Sequence, residues 1–351
     1  MHKDILIVGQ GICGTFLSWY LEQAGISYLV IDVPQDNTAS KVAAGIINPV
    51  TGRRIVKTWL IDEVMPFAKQ AYETLGAALG VNAIDTTSIV DFYATPQMKL
   101  AFEKKYQEDP QYLSLPADEN NWHSLFNYDF GYGEIDPCYL VRLQEIIPAW
   151  RARLQNRQLL LEERFEVEQL QVTGTGVNYK DVTASRIIFS DGIATANNPY
   201  FKTLPFAPNK GEAVWAEIGG LPPTHIFKKG FNLVPWKDNV FWLGSTYLWE
   251  FENDLPTPGF RQFAHNWLLQ TVKLPFRILD HKAAVRPATL ERRPFVGFHP
   301  LHPAIGIFNG MGTKGCSLAP WFARQLVEHI RSGEAIAPEA DVKRFQRVLS
   351  R

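Results

Sequence analysis

The strongest constraint on this chain sits at its start. A short apolar run, Ile5-Leu6-Ile7-Val8, leads into Gly9-Gln10-Gly11-Ile12-Cys13-Gly14 and then a helical pattern reaching Ala24. After Gly25 a second apolar run, Tyr28-Leu29-Val30-Ile31, closes on Asp32. Strand, G-x-G-x-x-G, helix, strand and acid follow one another in a single βαβ unit, the order that holds a dinucleotide. Gly9 permits the tight turn, Gly11 lets the backbone approach a pyrophosphate, and Gly14 lets the helix lie against the strand. From Ile12 onward the helix start offers free N–H groups and a dipole to phosphate. Asp32 is placed to accept from ribose hydroxyls and would repel a 2′-phosphate. The signature does not choose between NAD and FAD.

With 351 residues the chain is long for one domain and typical of two. Hydrophobic residues make up 46% and charged residues 20%, enough apolar material for packed cores rather than disorder. A net charge of −1 gives no general attraction to nucleic acid or anionic lipid. Cys13, Cys138 and Cys316 show no metal-ligand spacing, and an odd count argues against a disulfide framework. No metal site is expected. The fold is expected to begin at about the fourth residue, without a signal peptide. No apolar stretch approaches about 18 residues, so a cytoplasmic protein with no transmembrane segment is expected.

Further along, periodicity predicts a long helix over residues 56–79, a strand at 89–93, a helix at 97–106 and another at 139–154. Residues 167–170 read as a strand, and Arg186-Ile187-Ile188-Phe189-Ser190 as a buried strand ending at Asp191-Gly192. Residues 210–248 alternate and are rich in aromatics, the pattern of an antiparallel sheet. A last strand, Ala304-Ile305-Gly306-Ile307-Phe308, enters Asn309-Gly310-Met311-Gly312-Thr313-Lys314-Gly315 and then a helix to about Arg331. This second glycine-rich strand-to-helix turn bears on the cofactor. Its helix N-terminus suits the negative charge of a reduced flavin at the N1–C2=O edge, although a ligand-free tight turn would look the same.

These motifs, with Ser40 to Pro49, Gly131 to Asp136, Lys210-Gly211-Glu212, Leu243-Gly244-Ser245-Thr246 and Val285 to Gly297, run through essentially the whole chain. In this order the chain resembles the FAD-dependent D-amino-acid oxidase superfamily, in its glycine oxidase and sarcosine oxidase branch. The resemblance implies an α/β fold: a Rossmann-like FAD-binding domain with a discontinuous antiparallel-sheet (α+β) substrate domain. It implies residues 1–80, 134–206 and 284–351 for the first and 81–133 and 207–283 for the second. The cofactor implied is non-covalent FAD, since Arg286 stands where sarcosine-oxidase-like members carry a flavin-linking cysteine. Implied cofactor contacts are Gly9, Gly11, Ile12, Gly14, Asp32, Ser40, Ala44, Gly45, Val167, Asp191, Gly192, Gly310, Gly312, Thr313, Lys314 and Gly315.

The resemblance also implies that Arg286 pairs with a substrate carboxylate; the alternative is an arginine paired with a protein acid. The reaction implied is hydride transfer from an amine-bearing carbon to flavin N5, without a dedicated base. Trp242 stands where sarcosine-oxidase-like members place a lysine important for reaction with oxygen, so the acceptor, oxygen or another, stays open. Met311 replaces a common histidine. Tyr132, Trp215, Trp236, Trp242, Tyr247 and Trp249 are candidates for a substrate cage or ordinary packing, with Tyr247 foremost on a strand facing the flavin. His299 and His302 are expected in a surface loop. Catalytic candidates are thus Arg286, Tyr247 and Trp242. Two other functions compete. One is an FAD oxidase acting on a carboxymethylaminomethyl-uridine-like group of tRNA, disfavoured by net charge. The other is a non-catalytic flavoprotein.

Overall fold

The computed structural model describes residues 1–52 and 54–350, which build two large sheets. The first has a parallel centre, in the spatial order Leu160–Leu161, Tyr28–Ile31, His2–Val8, Val182–Phe189, Ile305–Asn309. Antiparallel strands Leu170–Thr173, Gly176–Tyr179 and Phe295–Phe298 extend it. The central strands are buried on both faces, which explains their unbroken apolar runs. Side chains alternate between two cores. Ile5, Ile7, Val30 and Ile188 meet the helices Ile12–Gln23, Ile61–Leu79, Leu143–Asn156 and Gly315–Ser332. Leu6, Val8, Leu29, Ile31 and Phe189 meet Phe201, Leu204, Val342 and Leu349 on the other side.

The second sheet runs Phe276–Arg286, Asn209–Ile218, Val240–Gly244, Phe231–Lys237, His225–Lys229, Ile84–Phe92, Tyr132–Val141, Ile46–Ile47. It is antiparallel as expected, except where His225–Lys229 runs parallel to Ile84–Phe92. One face, with Trp215, Val234 and Trp242, joins the core beneath the first sheet's helices. The other, with Val214, Phe227, Phe241 and Leu243, packs against Phe260, Ala264 and Leu268 of the helix Pro258–Thr271.

Several elements differ from expectation. The helix read from residue 56 starts at Ile61. Val56–Lys57 pairs instead with Val50–Thr51, and Leu60 turns through φ 54° before the helix. The helix read from residue 139 starts at Leu143. Tyr139, Leu140 and Val141 end a strand paired along Ile84–Phe92; short apolar runs are buried in either conformation, so periodicity cannot separate them. The strands Tyr132–Val141 and Phe276–Arg286 pair only within the second sheet, so each straddles a domain boundary expected at 134 or 284.

At the first turn, the chain leaves His2–Val8 through Gly9 at φ +97°. The helix then returns so closely that a Cβ on Gly14 would lie 1.9 Å from Gly9 O. Backbone cannot yield there as a flexible side chain would. Gly14→Ala is expected to lower unfolding free energy by about 1–3 kcal/mol, the cost of overpacking. A urea midpoint equal to wild type would show that this contact does not constrain the fold.

Candidate active site

A cleft of about 850 Å³ follows the carboxyl ends of the parallel strands, touching Val8, Ile31, Ser190 and Asn309. Open α/β sheets bind ligands along this edge. The second sheet closes one end with Ile89, Asn232, Trp242, Ser245 and Arg286.

At the opposite end lie Gly9, Gly11, Ile12, Asp32, Ser40 and Val167. Ser40 Oγ accepts from Ile12 N at 3.0 Å, and a Cβ on Gly11 would come 3.1 Å from that oxygen. The serine therefore satisfies one N–H of the helix start, and a larger residue than glycine would crowd it. Asp32 accepts from Gln10 N at 3.0 Å. Its other oxygen meets Arg151 Nη1 at 2.6 Å, and Arg151 also holds Glu162 at 2.8 Å. Sequence reading missed Arg151, which comes from a helix far along the chain and carries no local motif. Val167 lines the cleft from one turn of 3₁₀ helix, Val167–Gln169, not from the expected strand; the strand begins at Leu170.

Midway, Ala44, Gly45, Asp191, Gly192, Gly312, Thr313, Lys314 and Gly315 line the wall. Gly14 and Gly310 lie behind it, where a Cβ on Gly310 would come 2.8 Å from Thr289 Cγ2. Asp191 follows the strand Val182–Phe189 and accepts from Thr195 Oγ1. Asn309 Nδ2 donates to Thr195 Oγ1 at 2.7 Å and Gly192 O at 2.8 Å, tying the two strand ends together. Burial, with a smaller contribution from Asp32, pushes the Asp191 carboxyl up to about 6. Burial likewise pushes the thiols of Cys13 and Cys316 up to about 12, so neither is a thiolate at neutral pH.

At the second-sheet end, Arg286 lies across the strand Asn209–Ile218. A Cβ on Gly211 would fall 1.9 Å from Arg286 Nη2, so only glycine leaves the guanidinium its place. Nη1 donates to Asn209 Oδ1 at 2.5 Å, Nη2 to Ser245 Oγ at 2.6 Å, and both reach Thr246 O at 3.3 and 3.4 Å. Among the described residues no carboxylate lies within 4.0 Å of Arg286, so the ion pair with a protein acid does not form.

Beside it, Glu212 is fully buried and accepts from Thr257 N at 2.6 Å and His281 Nε2 at 3.0 Å, with Lys210 Nζ at 3.7 Å. Lys210 also donates to Leu255 O. Burial holds the His281 pKa below its usual value despite the carboxylate. Lys210 is thus the cation that balances Glu212, and the pair ties both ends of the 246–257 loop to the strand beneath Arg286. Sequence reading took Lys210-Gly211-Glu212 only as a family motif.

The aromatic candidates divide. Trp242 lines the cleft, is buried, and donates Nε1 to Val42 O at 2.9 Å, so it walls the site as a fixed group. Tyr247 lies beyond the strand Val240–Gly244, not on it. The residue is 47% exposed and its ring stands 5.5 Å from the Arg286 guanidinium, outside the cleft lining. Tyr132 belongs to the core under Pro258–Thr271, and Trp215 packs edge-on to Trp236 at 5.5 Å. Trp249 meets Tyr247 edge-on at the surface, with ring centroids 5.2 Å apart. His299 and His302 lie in the loop between Phe295–Phe298 and Ile305–Asn309 as expected; His302 is exposed, while His299 is buried with its ring 5.8 Å from Phe201.

The residues present fit FAD. Two helix starts, at Ile12 and Gly315, open onto one cleft, and Ser190 Oγ is buried beside it with no hydrogen-bond partner among the described residues. The first N–H groups of each helix lack intrahelical acceptors and suit phosphate at one end and an anionic ring edge at the other. Among the described residues there is no group of three metal-ligating side chains, and no helix is long and apolar enough to cross a membrane.

The raised Asp191 pKa has a sign that stability measurements can read. The folded state binds this proton more tightly than the unfolded chain between about pH 4 and 6, so Asp191 costs stability as pH rises through that window. Relative to wild type, cofactor-free Asp191→Asn is expected to gain on the order of 2–3 kcal/mol from pH 4 to pH 7. Parallel urea curves at both pH values would refute it.

Comparison with known proteins agrees with this geometry. The family model described as FAD dependent oxidoreductase (DAO) matches residues 4–329. A glycine oxidase of Pseudomonas aeruginosa is 21% identical, over 97% of this chain and 98% of its own. Among solved structures, glycine oxidase from Bacillus cereus superposes with TM-score 0.79 at 16% identity, covering 95% of this chain and 96% of that one. Iminodiacetate oxidase from Chelativorans sp. BNC1 superposes with TM-score 0.74 at 16% identity, covering 95% and 97%. The chain belongs to the FAD-dependent oxidoreductase (DAO) family, and its cofactor is FAD.

Proposed function

We propose that the protein oxidises the C–N bond of a small amino acid or N-alkyl amino acid. One observation carries this reading: Arg286, facing the cleft, is held by three neutral oxygen groups and by no carboxylate among the described residues. A cation removed from water without a counter-charge is costly, and a substrate carboxylate supplies the charge. The names of the relatives, glycine oxidase and iminodiacetate oxidase, point to the same substrate class.

Bound FAD would supply the hydride acceptor. The chain's own residues bind and orient. Asn209, Ser245 and Thr246 hold both Nη atoms, which leaves the Nε edge of Arg286 for the incoming carboxylate. Gly211 keeps the guanidinium in register, and the fixed indole of Trp242 walls the pocket against water. A carboxylate anchored at Arg286 restricts how the neighbouring carbon can face the cofactor, which converts binding into orientation. The amine reacts in its neutral form, its lone pair assisting departure of the hydride, and the imine product hydrolyses in water.

The test is anaerobic reduction of the purified holoprotein by a panel of D-amino acids, glycine, sarcosine and proline, followed through the oxidised-flavin absorbance. Bleaching by a member of the panel supports the reading; a flavin that dithionite bleaches and no amine does would refute it. Arg286→Ala should keep FAD and weaken carboxylate substrates by roughly 2–5 kcal/mol, the range for truncating one partner of a buried charge pair. Arg286→Lys should recover part of this, because a point charge cannot reproduce the planar fork. Unchanged kinetics in the folded alanine variant would remove the carboxylate role.

A further inference from the structure

The proposed reaction leaves one proton without a destination. The amine reacts in its neutral form, yet an alkylammonium such as that of lysine has a pKa of about 10, so only about one molecule in a thousand is neutral at pH 7. An acceptor beside the cleft would remove this handicap.

A polar row on the second sheet leads away from the cleft. Register places Gly244, Asn232, Lys228, Asp91 and Gly133 side by side on five neighbouring strands. Asn232 and Ile89 line the cleft, and Asp91 follows Ile89 by two residues on the same face of its strand. The row begins next to Ser245, which holds Arg286. At about 4.8 Å per strand, Lys228 stands roughly 10 Å along the sheet from Gly244.

Asp91 is 1% exposed, and its Oδ2 accepts from Lys228 Nζ at 2.6 Å. Its Oδ1 is buried with no hydrogen-bond partner among the described residues, and so is the Tyr93 hydroxyl. The two groups lie alongside each other. A Cβ on Gly133, the register partner of Asp91, would fall 2.5 Å from Tyr93 Oη. An open carboxylate oxygen in a core is costly, and a proton lowers that cost. Burial accordingly raises the Asp91 pKa, against the pull of Lys228. The other ionisable groups facing the pair are Cys138, kept a thiol by burial, and, beyond Tyr93, Glu103 and Glu119. Both glutamates pair with Lys99 near the surface.

We infer that the Asp91–Lys228 pair takes the substrate's ammonium proton. An N–H bond of the substrate breaks and one forms on Lys228, whose own proton passes to Asp91. The pair gains one proton, and the substrate nitrogen gains a free lone pair. This rests on the proposed amine oxidation and deepens it. The hydrogen on carbon still leaves as hydride, so no base for carbon is needed.

The test is anaerobic flavin reduction in the holoprotein from pH 6 to 10, with the amine that reduces wild type fastest. Asp91→Asn should slow reduction at pH 7 about a hundredfold, the low end of acid–base contributions. Near pH 10, where about half or more of the amine is already neutral in solution, it should come within about threefold of wild type. The double variant Asp91→Leu with Lys228→Met leaves no buried charge unpaired and should repeat this pH-dependent loss. FAD content and reduction by dithionite should match wild type in both. A loss equal at every pH would assign the pair a structural role and overturn the inference, as would a wild-type profile in both variants. If no amine reduces the wild-type flavin at any pH, amine oxidation fails and this inference with it; rapid wild-type reduction with unaltered variants sinks the inference alone.

Discussion

The cleft depends on how closely three backbone segments meet at Gly9. A Cβ there would lie 2.7 Å from Asp191 Cα and from Ser190 O, and the next helix turns back until Gly14 nearly touches Gly9 O. These contacts bring the ends of His2–Val8 and Val182–Phe189 together with the start of Ile12–Gln23. Asn309 extends the seam by bonding Thr195 and Gly192, which draws in the strand that feeds the second helix start. Two sets of unsatisfied N–H groups are thereby aimed into one channel. Neither alone would separate a mononucleotide loop from a flavin site; their common edge does.

The second sheet solves a different problem, keeping a guanidinium charged and in place away from bulk water. Its solution is indirect. Neutral oxygens from Asn209, Ser245 and Thr246 hold Arg286 without cancelling its charge. The acid buried on the neighbouring strand, Glu212, is engaged by Lys210, Thr257 and His281. Had Glu212 faced the arginine, a buried ion pair would have satisfied the fold and closed the site to an anionic ligand. Strand alternation prevents this: on the strand Asn209–Ile218, Asn209 and Gly211 lie on Arg286's face and Glu212 on the other.

Legibility in the sequence followed the range of the interaction. The βαβ unit and the last strand-turn-helix could be read because their glycines, apolar runs and acid are neighbours along the chain. Arg286 and most cofactor candidates came from motif resemblance, which compresses long-range geometry into local spacing. Arg151 on Asp32, Thr195 on Asp191 and the Glu212 cluster escaped, because each joins elements whose approach only the folded sheets define. The misread elements share one cause. Residues 56–60, 139–142 and 167–169 are each too short for periodicity to separate helix, strand and turn. Tyr247 was misplaced for a similar reason: Gly244 ends the strand, and residues 246–248 are held by Lys210 and Arg286 instead of by a ladder.

Charge placement along the cleft links its two halves. At the nucleotide end Asp32 is already balanced by Arg151, and burial raises the pKa of Asp191. At the other end, among the described residues, Arg286 and Lys314 have no carboxylate within ion-pair distance. A low-dielectric channel preserves this difference between the two ends better than an exposed surface would. An anion is thus favoured at the second-sheet end, which on the proposed reading receives the carboxylate of the substrate. Trp242 marks where the two requirements meet. Its indole is bonded to Val42 O in the segment leading to Ala44 and Gly45, so the wall of the substrate end is anchored to the loop that lines the cofactor. Any movement of that loop on cofactor binding would be felt directly at the substrate wall.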